Sequence, residues 1–135
     1  MKKIGNLVLA AAILFAALGA ISADNPPAVP VVKGIAVVGD EKVPVFPGVT
    51  EISATVGDDK SISISYDVVK STESKVARFY TGKRVFGMKV PRFKDAKNGP
   101  PTAVACKKGK GVQISLDSSA KPDTVMVSIS NICSP

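Results

Sequence analysis

The sequence predicts an α+β fold: an antiparallel β-sheet of about five to six strands with one α-helix packed on one face, preceded by an N-terminal signal helix. Three observations carry this expectation. First, Ile62, Ile64, Tyr66 and Val68 alternate with Ser61, Ser63, Ser65 and Asp67, the period-two pattern of a half-buried strand. Second, Ser71-Thr72-Glu73 supplies helix-start chemistry, and Val76, Phe79 and Tyr80 follow at helical spacing. Third, the last third of the chain holds three short runs joined by turn residues, which favours a meander. A helix laid across the sheet would bury both apolar stripes at once.

The N-terminus stands apart from this domain. Met1-Lys2-Lys3 is a short basic start, Ile4 to Ala20 is almost wholly apolar, and Ala20-Ile21-Ser22-Ala23 ends it with small residues. This is a secretory signal pattern, expected over residues 1–23 with cleavage after Ala23 or, alternatively, after Ser22. The competing expectation is an uncleaved anchor, against which the run falls just short of the ~20 residues that span a bilayer. Residues 24–34 read as a Pro-rich extended tether without core contacts, and residues 35–135 as a single small α+β domain. An optional edge strand over Val31–Val38 is broken by Gly34.

Within the domain, Val43-Pro44-Val45-Phe46-Pro47-Gly48 is stiff and short of backbone donors, so it belongs at a sheet margin or in a turn. Val49 to Val56 alternates, and Gly57-Asp58-Asp59-Lys60 joins it to the central strand as a hairpin. The helix is expected from near Ser71 to Gly82, about three turns. Val85 to Val90 returns the chain to the sheet, and Lys94 to Pro101 reads as a polar loop. Thr102–Lys107, Val112–Asp117 and Thr124–Cys133 are the last three strands.

Cys106 and Cys133 are the only cysteines, and in an exported chain an even count reads as one disulfide. Closing its 27-residue loop is worth roughly 3–4 kcal/mol in the chain-entropy model. In a simple meander the two would lie two strand spacings apart, roughly 9.6 Å, too far for a bridge. Either the last residues fold over the sheet end, or the strand order is not simple.

The run Val43-Pro44-Val45-Phe46-Pro47-Gly48-Val49, then a hairpin, then Ser71-Thr72-Glu73-Ser74-Lys75-Val76 leading to Phe79-Tyr80, resembles a loose group of small exported bacterial α+β domains of unknown function. That group shows a Pro-x-aromatic-Pro-Gly lead-in and a Phe-Tyr helix. This chain departs from it at Gly82, where the group continues its helix, and at Met88, where an aromatic is usual. The resemblance implies a fold and a compartment and brings no catalytic residue.

Chemistry is constrained by what is missing. The chain has no His, which removes the usual general base and the commonest transition-metal ligand. Asp58-Asp59 and Asp40-Glu41 fall in turns, and no calcium loop or phosphate loop is spelled out. No catalytic residue, metal site or cofactor is expected. The functional signal is charge. From Lys75 to Lys110 there are eleven Lys or Arg and one acid, Asp95. Lys83, Arg84, Lys89, Arg92, Lys107, Lys108 and Lys110 form the expected anionic-ligand patch, its alternative being a solvated surface that aids solubility. Only Phe86 and Phe93 interleave with those charges, which disfavours nucleic acid as a partner.

The expectation is thus an exported, non-catalytic accessory or binding module of the cell envelope, periplasmic or secreted, and membrane-anchored if the signal segment stays. Its partner would be an anionic lipid or polysaccharide, or an envelope protein, with transient membrane contact through the signal segment. The alternative is a structural or assembly subunit that pairs through a sheet edge. Intact mass of the natively exported protein is expected to begin at Ala23 or Asp24 and to rise by two protons on reduction. A mass retaining Met1, or thiols alkylated before reduction, would point to an anchored or unbridged chain.

Overall fold

The computed structural model describes residues 27–96 and 99–132. The predicted signal segment, Lys97 and Cys133 lie outside the described residues. Eleven strands and one helix follow in chain order: β1 (Ala28–Pro30), β2 (Ile35–Val38), β3 (Glu41–Pro44), β4 (Glu51–Val56), β5 (Ile62–Val69), α1 (Glu73–Tyr80), β6 (Arg84–Val85), β7 (Met88–Lys89), β8 (Lys94–Ala96), β9 (Gly99–Lys107), β10 (Lys110–Asp117) and β11 (Thr124–Ser130). Seven of the strands form one antiparallel sheet in the order β1-β4-β5-β11-β10-β9-β8. The hairpins β2–β3 and β6–β7 are separate two-stranded ribbons.

The alternation in β5 does what the sequence anticipates. Ile62, Ile64, Tyr66 and Val68 are buried, and the residues between them are exposed. Ile52 and Ala54 of β4, Ala103 of β9, Val112, Ile114 and Leu116 of β10, and Val125, Val127 and Ile129 of β11 complete the same buried face. Over it lie Ala36, Val38 and Val43 from the first ribbon, Val76 and Tyr80 from α1, and Val85 and Phe86 from the second. The fold is therefore a sheet with a mixed second layer of two ribbons and one short helix. The opposite face carries short hydroxyls, and register aligns Ser53, Ser65, Ser128, Ser115 and Thr102 in one row across five strands.

Several elements differ from expectation for local reasons. Ala28–Pro30 belongs to the sheet and is not a free tether: it pairs with β4, and Val29 packs against the core. The run Val31–Val38 is broken at Gly34 as expected, with only Ile35–Val38 forming a strand, and that strand pairs with β3 and not with the main sheet. Gly34 turns the chain with Lys33 between Val32 and Ile35. The helix has eight residues and starts after the cap Thr72, whose Oγ1 accepts from the Lys75 amide at 3.3 Å. It ends at Tyr80 because Thr81 leaves the helical region (φ −58°, ψ 124°) and Gly82 takes a φ of 89°, while the Thr81 amide and hydroxyl both donate to the Ala77 carbonyl, at 2.9 and 2.7 Å. The stretch 85–90 is a hairpin with its own tip, and the predicted loop 94–101 contains β8 and the start of β9. Pro100 and Pro101 are accommodated because β8 beside them is a short edge strand with an irregular register.

Two tyrosines bind the layers together. The Phe46 amide donates to Tyr66 Oη at 3.2 Å, and Tyr80 Oη donates to the Pro44 carbonyl at 2.8 Å. The two hydroxyls also hydrogen-bond to each other. Since Tyr80 gives its proton to Pro44, Tyr66 is the donor within the pair. Strand β5, helix α1 and the Pro44–Phe46 segment are thus held by one short chain of hydrogen bonds. Phe79 stacks edge-on against both Phe46 and Tyr80 and closes the flank.

Burial is the main cause that raises both phenol pKa values above the ordinary range. For Tyr80 the neighbouring Tyr66 adds to the rise, whereas for Tyr66 its hydrogen bond to Tyr80 and the one it accepts from the Phe46 amide oppose it. In the unfolded chain these groups release protons above about pH 10. The folded chain retains them there, so this contribution to stability is present below that pH and is lost as pH rises past it. The chain has two tyrosines and no Trp, so absorbance of tyrosinate reports only this pair. A folded sample titrated through pH 10 is expected to show no tyrosinate until it unfolds, and both groups then appear together. Tyr66→Phe and Tyr80→Phe should each cost about 1–3 kcal/mol in denaturant melts, with the double variant costing less than their sum.

Candidate functional site

The positive charges of the sequence are sorted by three tight turns. Lys33-Gly34, Phe86-Gly87 and Lys108-Gly109 each have positive φ at both central residues: 51° and 78°, 54° and 77°, 48° and 80°. That is the type I′ signature, whose twist matches the strands it joins. Glycine meets the second position cheaply in all three. Lys33, Phe86 and Lys108 occupy the first position without that freedom, and Phe86 does so while buried.

The turn at Lys108-Gly109 sets Lys107 directly opposite Lys110. The turn at Phe86-Gly87 leaves Arg84 directly opposite Lys89. Like charges facing each other across a hairpin are destabilising. None of these four is in an ion pair: among the described residues the ion pair is Lys121–Asp67, at 2.9 Å, on other elements. Ribbon β6–β7 packs beside β10, and its turn residue Phe86 lines the same cavity as Gly109 and Lys110, so the two hairpins meet at one end of the sheet. The structure separates the other two expected members. Lys83 Nζ sits 4.5 Å from the Phe79 ring centroid, a cation–π contact beside the first ribbon. Arg92 lines a cleft with Lys94 and Thr102 at the β8 edge.

The same sheet end contains a cavity of about 620 Å³, within the range of small-ligand sites. Four turns and the end of β11 converge on it, bringing Asp40, Glu41, Lys60, Phe86, Lys110 and Asn131 to its walls. Asn131 braces the floor. Its Oδ1 accepts from the Ile62 amide at 2.7 Å and its Nδ2 donates to the Lys60 carbonyl at 3.0 Å. Asp59 turns its carboxylate back onto Ser61, whose hydroxyl and amide hold it below the usual range. A Cβ on Gly57 would stand 2.7 Å from Ser61 Oγ and 2.9 Å from Asp59 Oδ1, so a larger residue there would push these side chains aside. Asp40, Glu41, Lys60, Phe86 and Asn131 are site residues that sequence reasoning missed. The available signal was the set of X-Gly tips, which mark where separate turns can meet.

Cys106 is exposed near the same end and faces Gly111 across the ladder. The strand order β11-β10-β9 is the simple meander, so of the two alternatives the sequence left open, a strand order that is not simple is overturned. Ser130, the last residue of β11, faces Gln113, placing its end of the strand beside the Cys106 side of the sheet. No free cysteine occurs among the described residues.

No family model, curated protein or solved structure matches this chain. The geometry alone therefore carries the functional argument. Lys107→Glu replaces a repulsive cross-strand pair by an attractive one. It is expected to raise stability by a few tenths to about 1 kcal/mol, read as an increase in Tm at low salt that shrinks at high salt.

Proposed function

We propose that the protein is an exported, non-catalytic module of the cell envelope that binds anionic ligands through the tips of β9–β10 and β6–β7. The observation that carries this is the double juxtaposition of Lys107 with Lys110 and Arg84 with Lys89. A fold that accepts two repulsive pairs at one end gains a concentrated positive field there, and a polyanion relieves the repulsion on binding. The signal pattern of residues 1–23 supports the compartment, and the Cys106–Cys133 bridge is part of the proposal. The last residues would then fold over the sheet end past Gly111. Edge pairing with a partner strand is less favoured. Strand β1 ends in Pro30, and β8 is three residues long, charged and irregular, which are features that blunt an edge.

Heparin affinity of the exported protein tests the reading. Binding is expected to weaken steeply with salt. It should be lost in Lys107→Glu with Lys108→Glu, and kept in Lys75→Glu with Arg78→Glu, which alters charge equally on the helix. Equal loss in both variants would reduce the effect to net charge, and no loss in either would remove these hairpins from the site.

A further inference from the structure

We propose that the cavity at this sheet end, with the apolar groove that continues from it, binds one single-chain amphiphile whose headgroup carries both an anion and an amine, the chemistry of a phosphoethanolamine lipid. The inference rests on the envelope-module reading and shares Lys110 with it, but its ligand and most of its residues are different.

Two observations meet here. The first is charge. Asp40 and Glu41 line the cavity together with Lys60 and Lys110. None of the four is in an ion pair, the pair among the described residues being Lys121–Asp67. Carboxylates and ammonium groups therefore share one cavity without neutralising each other at contact. A headgroup with its own separated charges satisfies both signs at once, whereas a simple anion satisfies only one.

The second is the groove. Pro27, Val29, Val37, Val38, Ala54 and Val56 line an apolar cleft of about 370 Å³. Val37 is 56% exposed and Val56 52% exposed, an unusual placement for facing aliphatics. Cavity and groove share two lining residues, Gly39 and Val56, so they form one continuous surface. Gly39 stands at the junction, where its positive φ disfavours a side chain. It has a φ of 61°, and a Cβ on it would come 3.9 Å from Val56 Cγ2. A polar head of both signs joined to an apolar chain matches this surface in order and in chemistry.

The test is native mass spectrometry of the exported protein, titrated below micelle formation with lysophosphatidylethanolamine, lysophosphatidylglycerol and free phosphoethanolamine. Lysophosphatidylethanolamine is expected to form a single-site complex at least about tenfold tighter than either of the others. The lipid without the amine tests the acids, and the headgroup without the chain tests the groove. Val37→Asp and Val56→Asp should each weaken the complex about tenfold. Both sites are on the surface, so an unchanged denaturation midpoint verifies the fold. Asp40→Asn with Glu41→Gln should abolish the preference over lysophosphatidylglycerol. Lys107→Glu with Lys108→Glu should keep lipid binding while losing heparin, which separates this site from the polyanion patch.

Absence of a single-site lipid complex overturns the proposal, whatever heparin does. So does lipid binding that Val56→Asp leaves unchanged. A dimer in sedimentation that Val56→Asp dissociates would assign the groove to a second copy and would also overturn it.

Discussion

The hydrogen bond between the Tyr66 and Tyr80 hydroxyls is the contact on which the rest of the architecture depends. Neither phenol could be buried without partners, because an unpaired hydroxyl in an apolar core costs more than its ring gains at the margin. Each solves the other's problem, and the backbone of Pro44–Phe46 takes up what remains. Prolines make this possible. A stiff segment around Pro44 and Pro47 holds its carbonyl and amide where two rings from different elements can reach them. Helix α1 has only eight residues, too few to be stable alone. Its position over β10 is secured by Tyr80 and Val76 in the core, and by Glu73, which receives the Ser118 amide and hydroxyl.

The end of the sheet where hairpins β6–β7 and β9–β10 meet is built on the opposite principle. Where the tyrosine chain satisfies every group, the tips of β6–β7 and β9–β10 leave like charges face to face. Stability is given up locally and the rigid sheet below makes up the difference. A ladder of antiparallel strands running through Ile64, Ile114, Val127 and Ile129 tolerates such a deficit at its rim. The backbone at Phe86 belongs to the same set of local costs. An aromatic residue at positive φ is retained in the tip that faces the cavity. Charges of both signs then collect around an aromatic wall, with an apolar groove beside them.

Legibility from sequence followed the range of the interactions. The strand Ile62–Val69, its hairpin partner and the last meander were readable because alternation is a local property and each register is set by a short turn. The burial of Tyr66 and Tyr80 was readable from the faces they share with neighbours. Strand β1 was hidden by prolines, since an edge strand tolerates them where a free tether would also show them. The hairpin in Val85–Val90 was missed because Phe-Gly is a poor predictor of a type I′ turn beside Asn-Gly or Asp-Gly. The basic patch was half legible. Lys107, Lys108 and Lys110 are neighbours in sequence, and the ribbon that pairs Arg84 with Lys89 reaches the same sheet end only through packing, while Lys83 lies over Phe79 and Arg92 at the β8 edge.

The sequence by itself determined the class of the fold, the period of its strands, the absence of histidine and the sign of its charge. Those are properties of composition and of near neighbours along the chain. Only the tertiary structure decided which turns meet at one end of the sheet. It paired Lys107 with Lys110 and Arg84 with Lys89, brought Asp40 and Glu41 to the same cavity as Lys60 and Lys110, and opened the valine groove beside them. The reason is physical. Alternation says which face of a strand is buried, but the company a turn keeps depends on strand order and on how the covering ribbons pack, and neither is encoded in any single stretch of the chain.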